Sequence, residues 1–425
     1  MVKKAPFFYG WIMVGLSVVT MILIYGVRHS FSVFFSPILD EFAWSRGNTA
    51  IMLSLNIFFY GLLAPLAGNC TDRWRPRRVM PIGLVILGVA TAGCAWGRQL
   101  WHFYLLFGIL IPLGTAFCGW PVLAPTLMNW FVKKRGLVLG VGQMGGGLSF
   151  VYGLFVEFVI LRWGWRNTFL VLAANLFFLL LPLHLLFFRY RPQDKGLTAY
   201  GAEATPAAAG SRTFATAVAD DPAIHWSLSR VLRSPNLWFI VLSYALFWGV
   251  AGYMVMAHQI RFMEDAGFSQ MFSVSIFALV GIMIFLGQFS GFLSDWWGRE
   301  KATIFASTLS IGALSIFIFI RSGSPLWLLY LYAVCFGYGS GLFSPTIFAS
   351  SADIFHGRHF GMVAGLLLFG MGAGGAIGPW LGGYLFDISG SYLYAFILAM
   401  VCMALACWSL WVAAPRKAEQ LRQQQ

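Results

Sequence analysis

Two adjacent basic residues, Arg28 and His29, lie inside a long apolar run near the start of the chain. Ionisable side chains are costly at such depth in a membrane and usually face a cavity or a partner. Arginine is a permanent cation whose planar fork matches a carboxylate, and histidine can titrate near neutral pH. Neighbouring positions on a helix point about 100° apart, so at most one of the two can point along a central axis. We assign Arg28 to the charge of a ligand and His29 to gating or protonation; the alternative is that both side chains reach the outer interface of the membrane.

Other ionisable groups within apolar runs are few. Glu157 lies well inside one run and could bind a proton, although its place near the outer end of that run also fits a structural role. His258 ends another run on the outer side, where a gate and a simple interface position are both compatible with the sequence. The proton-coupling candidates are therefore His29, Glu157 and His258.

Uncharged polar side chains could complete a cavity around Arg28. Tyr253 lies 225 positions after Arg28, which is the spacing of an internal repeat described below. Polar groups in apolar helices more commonly bond a neighbouring helix, and that alternative stays open. Together with Arg28 and His29, the substrate-binding candidates are Tyr253, Gln143, Gln288, Tyr338 and Asn56.

The composition excludes an ordinary soluble protein. Of 425 residues, 59% are hydrophobic and 10% are charged, whereas soluble domains average about 25% charged residues. The net charge of +13 does not indicate nucleic-acid binding, because the basic residues gather in short segments between apolar runs. The six cysteines fall in or beside these runs without metal-ligand spacing, so we expect free thiols and no metal. Without a phosphate-binding loop or a catalytic constellation, we expect neither an enzyme nor a cofactor.

Continuous apolar runs of about 20 residues, the length that crosses a bilayer, recur along the chain. Lipid permits helices or closed barrels, and the lack of alternation in these runs excludes the barrel. The sequence predicts an all-α integral membrane protein with twelve transmembrane helices in two pseudo-symmetric six-helix bundles, residues 1–189 and 236–425, joined by a polar linker at 190–235. The predicted helices are 10–36, 46–70, 78–96, 101–130, 136–161, 167–189, 236–260, 272–295, 302–321, 326–353, 360–386 and 391–414.

Lysine and arginine are concentrated at both ends of the chain, in the linker and in alternate loops. An excess of these residues marks the cytoplasmic side of membrane proteins, so both termini should be cytoplasmic. We expect a monomeric, multi-pass protein of the cell membrane that is surrounded by lipid.

Two short motifs repeat about half a molecule apart. The first contains Asp72 and Arg73 and returns around Asp295, 223 positions after Asp72. The second is Gly136, with glycines four and nine positions later, and it returns at Gly361, 225 positions further on. Two unrelated motifs in one register indicate a duplicated membrane unit. Small residues four apart also let helices approach closely.

The twelve helices, the repeat and the motif after the second helix together resemble the major facilitator superfamily. In that superfamily the motif latches the cytoplasmic side, with a carboxylate facing a helix N-terminus. The resemblance implies alternating access, in which one bundle rocks against the other around a central site. In this chain Arg75 stands where a loop glycine is usual, and Trp296 replaces the basic residue after Asp295. The implied cytoplasmic gate residues are Asp72, Arg73, Arg77, Asp295 and Arg299.

A narrower resemblance rests on residues 130–136 with the glycines after them, on residues 30–35 after a basic residue, and loosely on residues 8–11. These segments are similar to signatures of the monocarboxylate transporter family, to which the oxalate:formate antiporters are related. The resemblance implies a carrier of small organic anions, many of which are moved with a proton.

Family positions that would supply further charges are apolar in this chain. By the resemblance, the basic residue of helix 8 falls on Gly287, its acidic neighbour on Met283, and the helix 11 lysine on Leu367. A single embedded cation favours a monoanion, because a second buried negative charge would lack a partner. We therefore predict a secondary active transporter of a small organic monocarboxylate, coupled to protons. The alternatives are organic-anion exchange and efflux of hydrophobic compounds.

Overall fold

The computed structural model describes residues 8–73, 76–131, 135–201, 228–355 and 360–417. Within these ranges ten helices are long and apolar enough to cross a membrane. The segment Gly140–Phe187 is 48 residues long, but Gly164 interrupts it with φ 79° and ψ 160°, so this segment makes two passes. Arg299–Phe317 adds a further helix of 19 residues. The predicted all-α membrane fold with twelve spanning helices is confirmed.

The spanning helices are numbered α1 to α12 in chain order. The first six are Gly10–Phe42, Arg46–Arg73, Pro76–Cys94, Leu100–Trp130, 135–163 and 165–187. The second six are Pro235–Asp265, Gln270–Trp297, Arg299–Phe317, Leu326–Ile354, Phe360–Ser389 and Leu393–Ala413. The central part of the expected linker, 202–227, lies outside the described residues, and Leu228–Arg233 forms a short helix before α7.

Helix α1 is longer than the sequence predicts. It continues past residue 36 through Pro37 and ends at Phe42. Proline has no N–H to donate to the carbonyl four residues earlier, and the side-chain amide of Gln270 donates to that carbonyl of Val33 instead, at 3.4 Å. Asp40 therefore lies on the last helical turn rather than in a loop.

Helix α4 is broken near its middle, as the Trp120-Pro121 pair suggests. Gly119 takes an extended conformation, with φ −96° and ψ −153°, between the segments that end at Cys118 and begin at Trp120. Proline at the second helical position has no N–H to lose from the new segment. The break changes the direction of α4 inside the bundle.

Glycines let α2 of the first half approach α11 of the second half very closely. A Cβ atom added to Gly61 would lie 3.1 Å from the Cα of Gly372, and one added to Gly383 would lie 2.6 Å from the backbone of Arg46. Small residues at both sides of a contact permit this spacing. The α2–α11 contact is therefore a backbone-to-backbone seam between the two halves.

We call the face at which the described residues begin, at Phe8, and end, at Lys417, the terminal face, and the opposite one the distal face. At the distal face, Arg46 joins the two halves through several contacts. Its guanidinium forms an ion pair with Asp265 at 2.5 Å, donates to the hydroxyl of Tyr392 at 2.9 Å, and lies 3.7 Å from the centroid of the Phe386 ring. The carboxylate of Asp387 accepts the backbone N–H groups of Arg46 and Gly47 at 2.9 and 2.8 Å. A carboxylate of the second half thus caps the first turn of α2.

Helices α1 and α7 form a second set of distal contacts between the halves. Ser36 donates to Glu264, and Ser32 donates to the carbonyl oxygen of Met256, each at 2.5 Å. Arg261 reaches Asp40 across the same contact, 3.1 Å away. Together with the Arg46 contacts, these bonds close the distal face.

We expect Gly383→Val to weaken closure of the distal face. Its added side chain would meet the backbone of Arg46, which cannot move without breaking the Asp387 cap. Overpacking of this kind costs about 1–3 kcal/mol, so the thermal unfolding temperature of the purified protein should fall by several degrees.

Gly365→Val is the matched control, because nothing lies within 4 Å of a Cβ at Gly365 in the same helix. Equal unfolding temperatures for Gly383→Val and Gly365→Val would contradict the proposed tightness of the seam.

Candidate functional site

Arg28 points into the interior of the bundle. Its side chain is 1% exposed, and its Nε donates to the Oδ1 of Asn56 on α2 at 2.8 Å. The Nδ2 of Asn56 donates to the carbonyl oxygen of Phe107 at 2.7 Å, which fixes the orientation of the amide. These two bonds hold the guanidinium in one place.

Tyrosines surround the guanidinium of Arg28. Its carbon lies 4.2 Å from the ring centroid of Tyr60 and 5.1 Å from that of Tyr25, and the two hydroxyls bond each other at 2.7 Å. Tyr253 of α7, from the second half, accepts a side-chain hydrogen bond from Arg28. The aromatic faces stabilise the cation without neutralising it.

The Nη2 atom of Arg28 is buried and has no hydrogen-bond partner. Among the described residues, no carboxylate forms an ion pair with Arg28. A buried hydrogen-bond donor without a partner lowers the stability of the fold, and a bound ligand with an acceptor atom would satisfy it. The arrangement is chemically suited to an oxyanion.

His29 points away from Arg28, as expected for adjacent helical positions. The hydroxyl of Ser149 donates to the carbonyl of Gly146 at 2.7 Å, so it accepts from Nδ1 of His29, also at 2.7 Å. The imidazole stacks on Phe150, with centroids 4.0 Å apart. His29 therefore bonds α1 to α5 rather than joining Arg28.

The predicted lining residues separate into two groups. Asn56 and Tyr253 lie beside Arg28. Gln143 is exposed and lies next to Gly142, whose carbonyl accepts from Ser17. Ser17 is eleven residues before Arg28, or roughly 16 Å along α1 toward the terminal face at 1.5 Å per residue.

Gln288 and Tyr338 belong to α8 and α10, which pack closely on each other at Gly287. A Cβ atom at Gly287 would meet the carbonyl of Tyr338 and would lie 2.8 Å from the backbone nitrogen of Leu342. This packing leaves no room for a long basic side chain at position 287. The glycine at position 287, where the family resemblance would place a basic residue, therefore permits a close contact between α8 and α10.

Glu157 is completely buried near the distal end of α5. Neither carboxyl oxygen has a hydrogen-bond partner, and Glu264 of α7 is its electrostatic neighbour. Glu157 thus lies between the two halves, away from the lipid-facing rim.

His258 forms part of the distal contacts. Its Nε2 lies 2.8 Å from the carbonyl of Pro379, which can only accept, so this nitrogen carries a proton. The hydroxyl of Tyr392 lies 3.2 Å from Nδ1 of His258 and also accepts from Arg46. His258 therefore supports the closed distal face from within the second half.

The expected cytoplasmic gate is described only in part. The side chains of Asp72 and Arg73 lie outside the described residues, and Arg77 is exposed. Arg299 pairs with Asp295 at 2.5 Å and with Asp353 of α10 at 2.7 Å. The second motif thus joins α8, α9 and α10 of one half.

Two segments that carry the family resemblance pack on each other at the terminal face. Tyr9 lies 5.5 Å from Trp130, and Trp11 lies 5.1 Å from Phe131, measured between ring centroids. The backbone nitrogen of Tyr200 donates to the carbonyl of Trp130 at 2.9 Å. We call this cluster, with Phe8, the aromatic clasp. It fastens the first residues after α6 to α1 and α4.

Several residues of the site were absent from the sequence predictions. In the sequence, Tyr25 and Tyr60 cannot be distinguished from aromatic residues that only pack in the core. The available signal was that Tyr25 lies three residues before Arg28 and so shares a helix face with it. In the sequence, Arg46 and Glu264 look like solvated residues at the ends of helices. Within the described residues, no group of three histidine, cysteine, aspartate or glutamate side chains could hold a metal ion.

Comparison with known proteins agrees with this architecture. A family model described as Major Facilitator Superfamily matches residues 16–323 and 289–425. Monocarboxylate transporter 13 of Rattus norvegicus is 26% identical over 92% of this chain and 86% of its own length. The uncharacterized MFS-type transporter YcxA of Bacillus subtilis is 23% identical over 89% of both chains.

A solved structure supports the fold independently of close sequence similarity. The bacterial homolog to the human lysosomal transporter Spinster, in an inward-facing and unoccupied conformation, superimposes with a TM-score of 0.72. The match covers 99% of both chains at 17% identity. The chain therefore belongs to the major facilitator superfamily, and it is a membrane transporter rather than an enzyme.

Proposed function

We propose that this transporter moves a small organic monocarboxylate and that Arg28 binds the carboxylate group. The unpartnered, buried Nη2 of Arg28 is the observation that carries the proposal. A carboxylate oxygen would accept a charge-assisted hydrogen bond from Nη2, which is stronger than the bond that a neutral ligand could form there. The names of relatives, such as monocarboxylate transporter 13, support the same substrate class.

The charge of the site favours one carboxylate over two. Arg28 supplies one positive charge, and the family positions for a second are the apolar Gly287 and Leu367. A dicarboxylate would bury a second negative charge without a cation, which costs more than it returns. Tyr25, Tyr60 and Tyr253 offer aromatic faces to the rest of the molecule.

The division of the site between the halves supports alternating access. Arg28 and Asn56 belong to the first half and Tyr253 to the second. A ligand held by both halves favours the states in which they are close. We further propose proton coupling, a cytoplasmic terminal face and a location in the cell membrane, with 1–189 and 236–425 as the moving bundles.

Efflux of hydrophobic compounds is the second candidate. A shallow, mainly apolar groove lies at the α2–α11 contact and could admit a molecule from the bilayer. The groove is lined by Ile51, Ser54, Leu55, Phe58, Ala376 and Trp380.

We expect Arg28→Ala to reduce uptake of the preferred acid strongly. The full chain would be reconstituted in proteoliposomes with acetate, propionate, lactate, pyruvate, succinate and oxalate offered under an imposed pH gradient. A charged hydrogen bond contributes about 1.5–3 kcal/mol, so uptake should fall about ten- to hundredfold. Arg28→Lys should recover part of it, because lysine keeps the charge and loses the fork.

Arg162→Ala is the control, since Arg162 is exposed at the distal end of α5. Normal acid uptake by Arg28→Ala would refute the binding role of Arg28. Transport of hydrophobic cations with no acid uptake would favour efflux.

We expect Asn56→Ala to weaken acid binding without abolishing transport. The guanidinium would lose the acceptor that fixes its orientation but would keep its charge. The apparent affinity should fall severalfold while the maximal rate changes less. Loss of transport equal to that of Arg28→Ala would indicate that Asn56 binds the acid directly.

A further inference from the structure

Two carboxyl groups from opposite halves are electrostatic neighbours near the distal face, and Glu157 is fully buried while Glu264 is partly buried. Glu157 has no partner for either oxygen, and Oε1 of Glu264 also has none. We propose that Glu157 and Glu264 form a proton-binding pair that holds a proton while the distal face is closed and releases it when that face opens. If the protein transports an acid as proposed above, this pair would couple that transport to protons. The proton-binding role itself does not depend on the proposed function.

Helix packing places Glu157 at the contact between the halves. A Cβ atom at Gly153 would lie 3.5 Å from Val33 of α1 and 3.7 Å from Val274 of α8. Glu157 is one helical turn further toward the distal face on the same side of α5. One turn further along α1 lies Ser36, whose hydroxyl donates to Glu264.

The two nearby arginines also pair with other carboxylates, so they do not fully neutralise Glu157 and Glu264. Arg261 lies 3.1 Å from Asp40, 3.5 Å from Glu264 and 3.3 Å from Asp265. Arg46 also pairs with Asp265. No ion pair reaches Glu157 within the described part of the chain.

The other helices that pack against α5 do not compensate Glu157. The apolar helix Gln270–Phe289 of α8 contains no ionisable residue. At the distal end of α6, Arg166 is paired with Glu41 at 2.6 Å. Toward the terminal face the packed helices carry Arg77, Arg78, Arg135, His184 and Asp295. The other titratable groups on these helices are Cys94 of α3, Tyr25, Arg28 and His29 of α1, and Tyr152 and Arg162 of α5.

The chemistry of the pair follows from the burial of Glu157. An ionised carboxylate without partners is far more costly in an apolar site than a neutral acid, and two neighbouring carboxylates disfavour each other's ionisation. In the closed state one carboxylate therefore takes up a proton to form a carboxylic acid. When the halves separate, water reaches both groups, the O–H bond breaks, and the proton passes to the distal solution.

The two candidate histidines, His29 and His258, already form hydrogen bonds to other groups. Nδ1 of His29 donates to Ser149, and the imidazole is stacked on Phe150. Nε2 of His258 donates to the carbonyl of Pro379. Glu157 is instead buried with both oxygens unused, so it is the better proton site.

The test measures distal opening without any substrate. Fluorophores would be attached through a bioorthogonal amino acid at Arg98 and Arg321, which lie in exposed distal loops of the two halves. Energy transfer in full-length protein in nanodiscs would be followed from about pH 5 to about pH 9, which spans the range of perturbed carboxyl groups. The wild type should open as the pH rises, because the pair loses its proton.

Glu157→Gln should remove most of this pH response and keep the distal face closed, since glutamine is neutral and of equal size. Glu157→Asp should restore a pH response, which distinguishes titration from misfolding. Glu41→Gln is the matched control, because Glu41 is a distal glutamate bonded to Arg166 and Trp165 of its own half.

A wild type that does not respond to pH, or a Glu157→Gln variant that responds like the wild type, would overturn the proton-binding pair. Because no acid is present, neither outcome depends on the role of Arg28. Conversely, Arg28→Ala should lose acid uptake while its distal face still opens as the pH rises.

Discussion

The cost of keeping the Arg28 guanidinium inside an apolar bundle constrains the rest of this structure. Asn56 takes one of its donors and two tyrosine rings face the cation, yet Nη2 is left without a partner. A protein that only needed to bury Arg28 could have placed a carboxylate beside it. The absence of an ion pair among the described residues leaves a positive site whose remaining stabilisation can come from a ligand.

Helix α2 connects this site to the contacts between the halves. It carries Asn56 and Tyr60 beside Arg28, Gly61 in the seam with α11, and Arg46 at the distal face. A shift of α2 that follows ligand binding would therefore change both the seam and the distal ion pairs. The physical continuity of one helix makes such coupling possible without a chain of flexible side chains between the two regions.

The sequence predicted the parts of the fold that depend on apolar length, and it predicted less well the parts that depend on pairing between helices. Twelve long runs are sufficient to predict twelve spans, because lipid leaves the backbone few alternatives. Arg28 could be singled out because a cation in such a run is unusual. Gln143 has the same polar character as Asn56 but lies at another depth, which residue type cannot reveal. Glu264 could not be distinguished in the sequence from a solvated residue at a helix end, because the contact with Ser36 of α1 that partly buries it joins distant parts of the chain.

The Asp387 cap has a consequence for how closure of the distal face can be adjusted. Its hydrogen-bond donors are the backbone N–H groups at positions 46 and 47, and every residue except proline supplies such a donor. A change of side chain at position 46 therefore leaves this part of the bond pattern intact, whereas a Cβ at Gly47 would lie 2.9 Å from Oδ2 of Asp387 and any change at Asp387 alters the cap. Relatives with different resting equilibria could retain the same α2 sequence and differ at this one acidic position of the second half.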